Sequence, residues 1–125
     1  MEVGFGLDWY PKFLKAATGV DMTMNDLFAI ADRTFPLMRA FWVREYASAW
    51  SRNMDVPPAR WFDEPLTKGH FKGAALDREK YDSLLQLYYD RRGWDSRGIP
   101  TKSALTKLGL QDVAQELGRY VKLSA

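Results

Sequence analysis

Apolar residues recur along this chain at a spacing of three and four, and strong punctuation interrupts them. Over residues 8–18, Trp9, Phe13, Ala16 and Ala17 fall on one stripe. Asp8 stands at the N-cap position and Pro11 in the first turn, where its missing donor costs nothing. Gly19 follows as a left-handed terminator. Thr23 with Asp26 three residues on forms a weak capping box. It opens a long run through Leu27, Ile30, Ala31, Thr34, Leu37, Met38 and Phe41, continuing through Trp42, Tyr46, Ala49 and Trp50. Pro36 lies inside that run and predicts a kink or a break into two helices, the kink favoured because the stripe keeps its phase.

Residues 53–75 carry Pro57, Pro58, Pro65, Gly69 and Gly73 and predict a surface crossing, with one helical turn at Arg60, Trp61 and Phe62 pinned by the two rings. Asp77 then caps a third helix. Glu79 suits its start and Arg91-Arg92 its end, Gly93 stops it, and Tyr81, Leu84, Leu85 and Tyr88 form the expected buried stripe. After the turn of residues 94–100, Thr101 caps a short helix bearing Ala104, Leu105 and Leu108, closed by Gly109. A last helix over residues 111–122 buries Val113, Ala114, Leu117 and Val121, weakened at Gly118 by roughly 1 kcal/mol.

No segment alternates with the β-branched enrichment of a strand. The expected fold is all-α, an irregular array of five or six helices with no sheet, in a single domain spanning residues 1–125. The 125 residues are 46% hydrophobic and 27% charged, the balance of a folded protein, and aromatics reach 14%. A net charge of +2 gives no reason to expect a nucleic-acid partner. With no cysteine and one histidine, disulfides, zinc sites rich in Cys or His, thiolate chemistry and a self-contained iron–sulfur site are excluded. No apolar run approaches the roughly 18 residues of a membrane helix. The opening lacks the layout of a signal peptide, so a cytoplasmic location is expected. Gly4-Phe5-Gly6 has no third glycine and no preceding strand, and does not make a phosphate loop.

Candidate chemistry is sparse. His70 is the one side chain with an ordinary pKa near neutrality, but it sits in a basic, Gly-flanked segment without a carboxylate to orient it. Asp63-Glu64 precedes Pro65 and reads as a turn or a surface ion pair. Glu-x-x-His pairs that would build a metal site in a helical bundle are absent. The serines have no nucleophile-elbow context. Arg33, Arg39, Arg44 and Arg52, interleaved with Phe41, Trp42 and Trp50, are expected to pair with carboxylates and stack on rings. No catalytic, cofactor-binding or metal-ligating residue is assigned.

One stretch is more specific. Tyr88-Tyr89-Asp90-Arg91-Arg92-Gly93-Trp94-Asp95-Ser96-Arg97-Gly98-Ile99-Pro100-Thr101 resembles the closing signature of the tungsten-containing aldehyde:ferredoxin oxidoreductase family, in which a helix ends in Tyr-x-x-Arg-Gly-Trp-Asp and Gly-x-Pro-Thr follows. Leu108-Gly109-Leu110 matches the family's next turn. Upstream, Ala17-Thr18-Gly19, then Arg33, Leu37, Arg39, Phe41, Val43-Arg44-Glu45, Asp55, Pro58 and Arg60 fall in its order. The chain departs from the pattern at Pro36 and Trp42, where the family commonly has Asn, and at Tyr46, where it has Gly.

The resemblance implies the C-terminal helical portion of an enzyme that oxidises aldehydes to carboxylic acids. Such an enzyme uses tungsten held by two molybdopterin-type pterins and passes electrons through a 4Fe-4S cluster to ferredoxin. The pterin-binding and cluster-binding regions are then this chain's expected partners, with the last cluster cysteine expected shortly before Met1. The chain alone is expected to be inactive and to bind no cofactor, while helping to enclose cofactor and substrate channel. A relative with another substrate, or a stand-alone helical protein-interaction module, are the alternative readings. Gly93 is expected at positive φ with Trp94 folded back on the third helix. An exposed aromatic patch or a homo-oligomer is expected from Phe41, Trp42, Tyr46 and Trp50, extended by Val3, Phe5 and Leu7.

Overall fold

A computed structural model describes residues 6–125, so the expectations for Val3, Gly4 and Phe5 lie outside the described residues. Those residues form six α-helices: α1 Trp9–Thr18, α2 Met24–Tyr46, α3 Arg60–Asp63, α4 Arg78–Arg92, α5 Lys102–Lys107 and α6 Gln111–Leu117. Short 3-10 turns, Ala47–Ala49 and Arg52–Asp55, follow α2. Strand-like pairing among the described residues is confined to one antiparallel bridge, Trp94 with Pro100. The all-α expectation is met.

The termini follow from local chemistry. Thr23 and Asp26 make the full capping box, each side chain accepting the other's backbone N–H at 3.2 and 2.7 Å. Gly19 ends α1 at φ 74°, its N–H on the carbonyl of Lys15. Asp8 stands before α1 but caps nothing. Its backbone is already helical, whereas capping needs an extended residue, and the carboxylate pairs with Lys12 instead. Asp77 caps α4 and Thr101 caps α5, as expected. α6 is shorter than expected, ending at Leu117 rather than near residue 122, where Gly118 opens a turn.

The helices bury different faces from those the periodicity suggested. α2 runs unbroken through Pro36, but its buried residues are Pro36, Ala40 and Val43, while Leu37, Met38 and Phe41 stay about half exposed. Small side chains let α2 approach α6 closely, and Ala40, Val43, Ile99 and Leu117 form one core cluster. Leu105, Leu110 and Ala114 form a second beside it. On α4 the inward residues are Tyr81, Leu85 and Tyr89, at spacings of four. Leu84 is 64% exposed and Tyr88 also faces out. α1 buries no residue, so its expected stripe is uncovered. In the irregular crossing Phe62 packs on Tyr81 as a pin, but Trp61 stays exposed.

The core thus sits between α2 and the segments from α4 onward. Among the described residues twenty-three large apolar side chains remain exposed, against nine buried apolar core residues besides the prolines. The accessible surface is 9473 Å², against the ~6,800 Å² usual for a compact 14.4 kDa monomer.

Candidate functional site

The turn from Gly93 to Thr101 is held from inside and outside. Gly93 ends α4 at φ 67°, and a Cβ there would lie 2.8 Å from that of Ala104. Trp94 folds back on α4, its ring 5.5 Å from Tyr88 and 5.9 Å from Tyr89. Asp95 organises the loop: one carboxylate oxygen accepts the backbone N–H groups of Arg97 and Ile99, and the other accepts the Arg97 guanidinium and the Ser124 hydroxyl. Burial raises the Asp95 pKa, but these hydrogen bonds, Arg97 first, outweigh it and hold the carboxyl below its ordinary value. Thr101 closes the turn, its N–H and hydroxyl both donating to the carbonyl of Gly93. Gly93 and Trp94 therefore behave as expected.

Beneath the turn lies a cluster that sequence reading did not assemble. Arg39 of α2 donates two hydrogen bonds to Asp55, at 2.8 and 2.9 Å, with only 14% and 19% of the side chains exposed. The Tyr89 hydroxyl donates to the same carboxylate at 2.5 Å. Burial first, then the neighbouring Asp55, pushes the Tyr89 phenol above its ordinary value, so it stays a neutral donor. The Arg39 guanidinium stacks over Trp50 at 4.9 Å and Trp94 at 4.4 Å. Arg52 stacks on Tyr89 and bonds to Asp82, Gln86 and the carbonyl of Ser96. Gly98 makes room: at φ 76°, its missing Cβ would sit 2.7 Å from the Tyr89 hydroxyl. Trp94 Nε1 is buried without a hydrogen-bond partner. The contacts join residues 16 and 34 positions apart, which no local motif reveals.

An open cleft of about 500 Å³ lies against this cluster. It is lined by Phe35, Met38, Trp42 and Tyr46 of α2, by Tyr88 of α4, and by Trp94, Trp50, Met54 and the Arg39–Asp55 pair.

The other candidates are dispersed. His70 is exposed and rests edge-on against Phe71. Asp63 pairs with Arg78 at the surface, as expected. Arg44 pairs with Glu45 and stacks on Phe41. Among the described residues no three of His, Asp and Glu converge as metal ligands, and the sequence has no cysteine. These residues do not fit as ligands of a tungsten centre or a 4Fe-4S cluster, and no step through either is assigned to them.

An all-α array closed by this Gly-Trp-Asp to Pro-Thr turn defines a class, and the comparisons give it a family. The family described as "Aldehyde ferredoxin oxidoreductase, domains 2 & 3" matches residues 1–110. This chain belongs to the aldehyde ferredoxin oxidoreductase family. A tungsten-containing aldehyde ferredoxin oxidoreductase of Pyrococcus furiosus is 32% identical over 109 residues, 87% of this chain and 17% of that protein. An aliphatic sulfonate oxidoreductase WOR-like subunit of the same organism is 38% identical over 68 residues, 54% of this chain and 11% of the subunit. Among solved structures, the active-site complex BamBC of benzoyl coenzyme A reductase with 1,5-dienoyl-CoA superposes with a TM-score of 0.71 at 33% identity, covering 97% of this chain and 16% of that one. The match spans about a sixth or less of the length of each of these relatives. Trp42 and Tyr46, where it departs from the family pattern, both line the cleft.

Proposed function

We propose that residues 1–125 form one helical domain acting as the C-terminal part of a tungsten-dependent, aldehyde-oxidising enzyme, in which it walls the substrate channel and shields the cofactor from water. The carboxylic acid is the product and ferredoxin takes the electrons. A tungsten–bispterin centre and a 4Fe-4S cluster held elsewhere in the enzyme supply the redox chemistry. The chain is not catalytic alone, and we assign it to the cytoplasm on this reading. No helix among the described residues is long and apolar enough to cross a membrane.

The observation that carries the reading is the uncovered apolar surface. Twenty-three large apolar side chains are exposed among the described residues, and where they are contiguous, as Phe35, Met38, Trp42 and Tyr46 are around one cleft, such surface marks an interaction site. The accessible surface exceeds the compact-monomer value by ~2,600 Å², which fits an open array that packs against further chain.

The test is complementation. This chain is co-expressed with the Pyrococcus furiosus enzyme truncated ahead of its matching region, in cells supplied with tungstate. Co-purification and aldehyde-dependent reduction of a viologen dye are expected. A chain that ignores the truncated enzyme, yet self-associates on sedimentation, refutes the reading and favours the stand-alone interaction module, which the same exposed surface fits.

A further inference from the structure

A second cleft, of about 430 Å³, lies where the end of α2 meets the C-terminal tail, within the roughly 300–1,000 Å³ range of small-molecule sites. Four stretches far apart in sequence line it: the end of α2 at Ser48, the 3-10 turn at Arg52, the Gly93–Thr101 turn at Arg97 and the tail at Lys122. Its charged lining residues are Arg52, Arg97 and Lys122, and among the described residues no carboxylate lines it. The chain as a whole has 18 basic against 16 acidic residues, so a lining of one sign is a local arrangement. A cleft of one sign concentrates ions of the other. It shares only Trp50 with the cleft beside α2.

The donors left over decide what the cleft takes. The two terminal nitrogens of Arg52 are used by Gln86, the carbonyl of Ser96 and Asp82. Nε and Nη2 of Arg97 are used by Asp95 and the carbonyl of Lys122. These bonds fix both guanidinium groups. They leave the Nε–H of Arg52 and both N–H bonds of Arg97 Nη1 without a partner among the described residues. The Lys122 ammonium and the Ser48 hydroxyl have no partner there either. Asp95, whose side chain is 11% exposed, offsets Arg97, but Asp82, 69% exposed, offsets Arg52 only weakly, and nothing offsets Lys122. Glu116 stands behind the lining residue Tyr120 and is already paired with Arg119.

A carboxylate offers two oxygens to such a set. A phosphomonoester offers three, with a charge near −2, and matches it better. The space exceeds a bare phosphate, and Trp50, Ile99 and Val121 line the remainder. All three belong to the packing of one core cluster, so they give a ligand body a fixed apolar wall. Ala47, the residue with a strained backbone, lines the same cleft and turns the chain just before Ser48. Such strain concentrates where a chain clamps a ligand.

We propose that this cleft binds a phosphomonoester with a compact apolar body, its phosphate held by Arg97, Lys122, Arg52 and Ser48 and its body against Trp50, Ile99 and Val121. The site does not depend on the channel-wall reading, and either can fail alone.

The experiment titrates the ¹⁵N-labelled 125-residue chain with phenyl phosphate and follows it by NMR. Saturable shifts are expected at the Trp50 indole N–H and at the backbone N–H groups of Ser48, Arg97 and Lys122, with the indoles of Trp9, Trp42 and Trp61 unmoved. Benzoate, which lacks the third oxygen and the second charge, and inorganic phosphate, which lacks the body, are each expected to bind about tenfold more weakly. Lys122→Gln, at an exposed position, is expected to weaken phenyl phosphate about tenfold, the scale of one hydrogen bond to a charged group. Lys68→Gln removes the same charge from the exposed loop before α4 and should leave binding unchanged. Ala47→Gly is expected to weaken binding about threefold while raising the melting temperature, a combination that a merely structural role would not produce. No saturation, equal binding of benzoate, or equal effects of the two lysine variants overturns the proposal. So does a chain that ignores phenyl phosphate while Lys122→Gln weakens association with the truncated enzyme, which makes the cleft a contact between parts of the enzyme. Because the readout is binding to this chain, failed complementation leaves it intact.

Discussion

Arg39 and Asp55 meet in a two-point ion pair that is more than four-fifths buried, capped on one side by the Tyr89 hydroxyl and flanked by two indole rings. Such a pair is costly to break from one side, because the surviving charge stays buried. Asp55→Ala strands the Arg39 guanidinium and the Tyr89 hydroxyl together. The expected loss is about 3 kcal/mol in urea-induced unfolding, whereas Tyr89→Phe, which removes one hydrogen bond and keeps the ring, costs about 1 kcal/mol. The surface pair Arg78–Asp63, more than half exposed on both sides, serves as the control, with an expected coupling below about 1 kcal/mol. Equal coupling energies for the two pairs in double-mutant cycles would contradict the role given to the buried one.

Gly98 and Gly109 separate backbone strain from collision. Both have positive φ, 76° and 69°. A Cβ at Gly109 meets nothing within 4 Å, while one at Gly98 lies 2.7 Å from the Tyr89 hydroxyl oxygen and 3.2 Å from the Asp55 carboxylate. Gly109→Ala carries the conformational cost alone, about 1 kcal/mol. Gly98→Ala adds a clash that must push Tyr89 off Asp55, so its expected loss is at least about 2 kcal/mol larger. Thermal melts of the two variants check the difference.

Ala47 offers the reverse effect. It ends α2 at φ 45°, the one positive φ outside glycine among the described residues, and its ψ of −118° lies in a region open chiefly to glycine. Ala47→Gly is expected to raise stability by about 0.5–1 kcal/mol, relief of strain outweighing the added freedom of the unfolded chain. A lower melting temperature would show the strain to be absent.

The helix count, the caps at Thr23, Asp77 and Thr101, and the terminators Gly19 and Gly93 were legible because each is set by two or three neighbouring residues. The buried faces were not. α2 is apolar on more than one face, and periodicity favours the face with the largest side chains, Leu37, Met38 and Phe41. The core uses Ala40 and Val43, whose small size permits the close approach to Leu117. Pro36 did not break the helix: its ring is buried, so tertiary packing offsets the lost hydrogen bond. The Arg39–Asp55–Tyr89 cluster was hidden for another reason. Its members stand in three separate elements that meet only in the folded chain, with Gly98 packed against two of them. The motif around Gly98 was readable, but the work this glycine does was not.

Asp95 sets an acid limit on the turn. Its carboxyl is held below its ordinary value by Arg97, the backbone N–H groups of Ile99 and Arg97, and Ser124, against the opposing pull of burial. A carboxyl whose folded pKa is depressed contributes stability that is complete above the unfolded value of about 3.9. That contribution is lost as pH falls from there through the folded pKa. Wild-type protein is therefore expected to lose stability on acidification below about pH 4 more steeply than Asp95→Asn, which is less stable at pH 7 but flatter in acid. Parallel slopes for the two proteins between pH 5 and pH 2 would remove Asp95 from the account.

The uncovered surface makes the strongest demand on the whole reading. Leu84 is 64% exposed and Trp61 53%, although both were expected to anchor their segments. If the chain stood alone, replacing either by Glu would be nearly neutral everywhere, within about 0.5 kcal/mol. As part of a larger enzyme, the same charges would be buried against the missing portion without a partner, which is far more costly. Leu84→Glu and Trp61→Glu are therefore expected to leave the melting temperature of the isolated chain within about 2 °C. In the complementation experiment, at least one of them should weaken association with the truncated enzyme tenfold or more. Leu85→Glu, at a half-buried position on the inner side of α4, is the converse control and should destabilise the isolated chain itself. If both exposed substitutions associate like wild type, neither position lies on the docking surface, and the uncovered side of α1 and α2 is left to meet that demand.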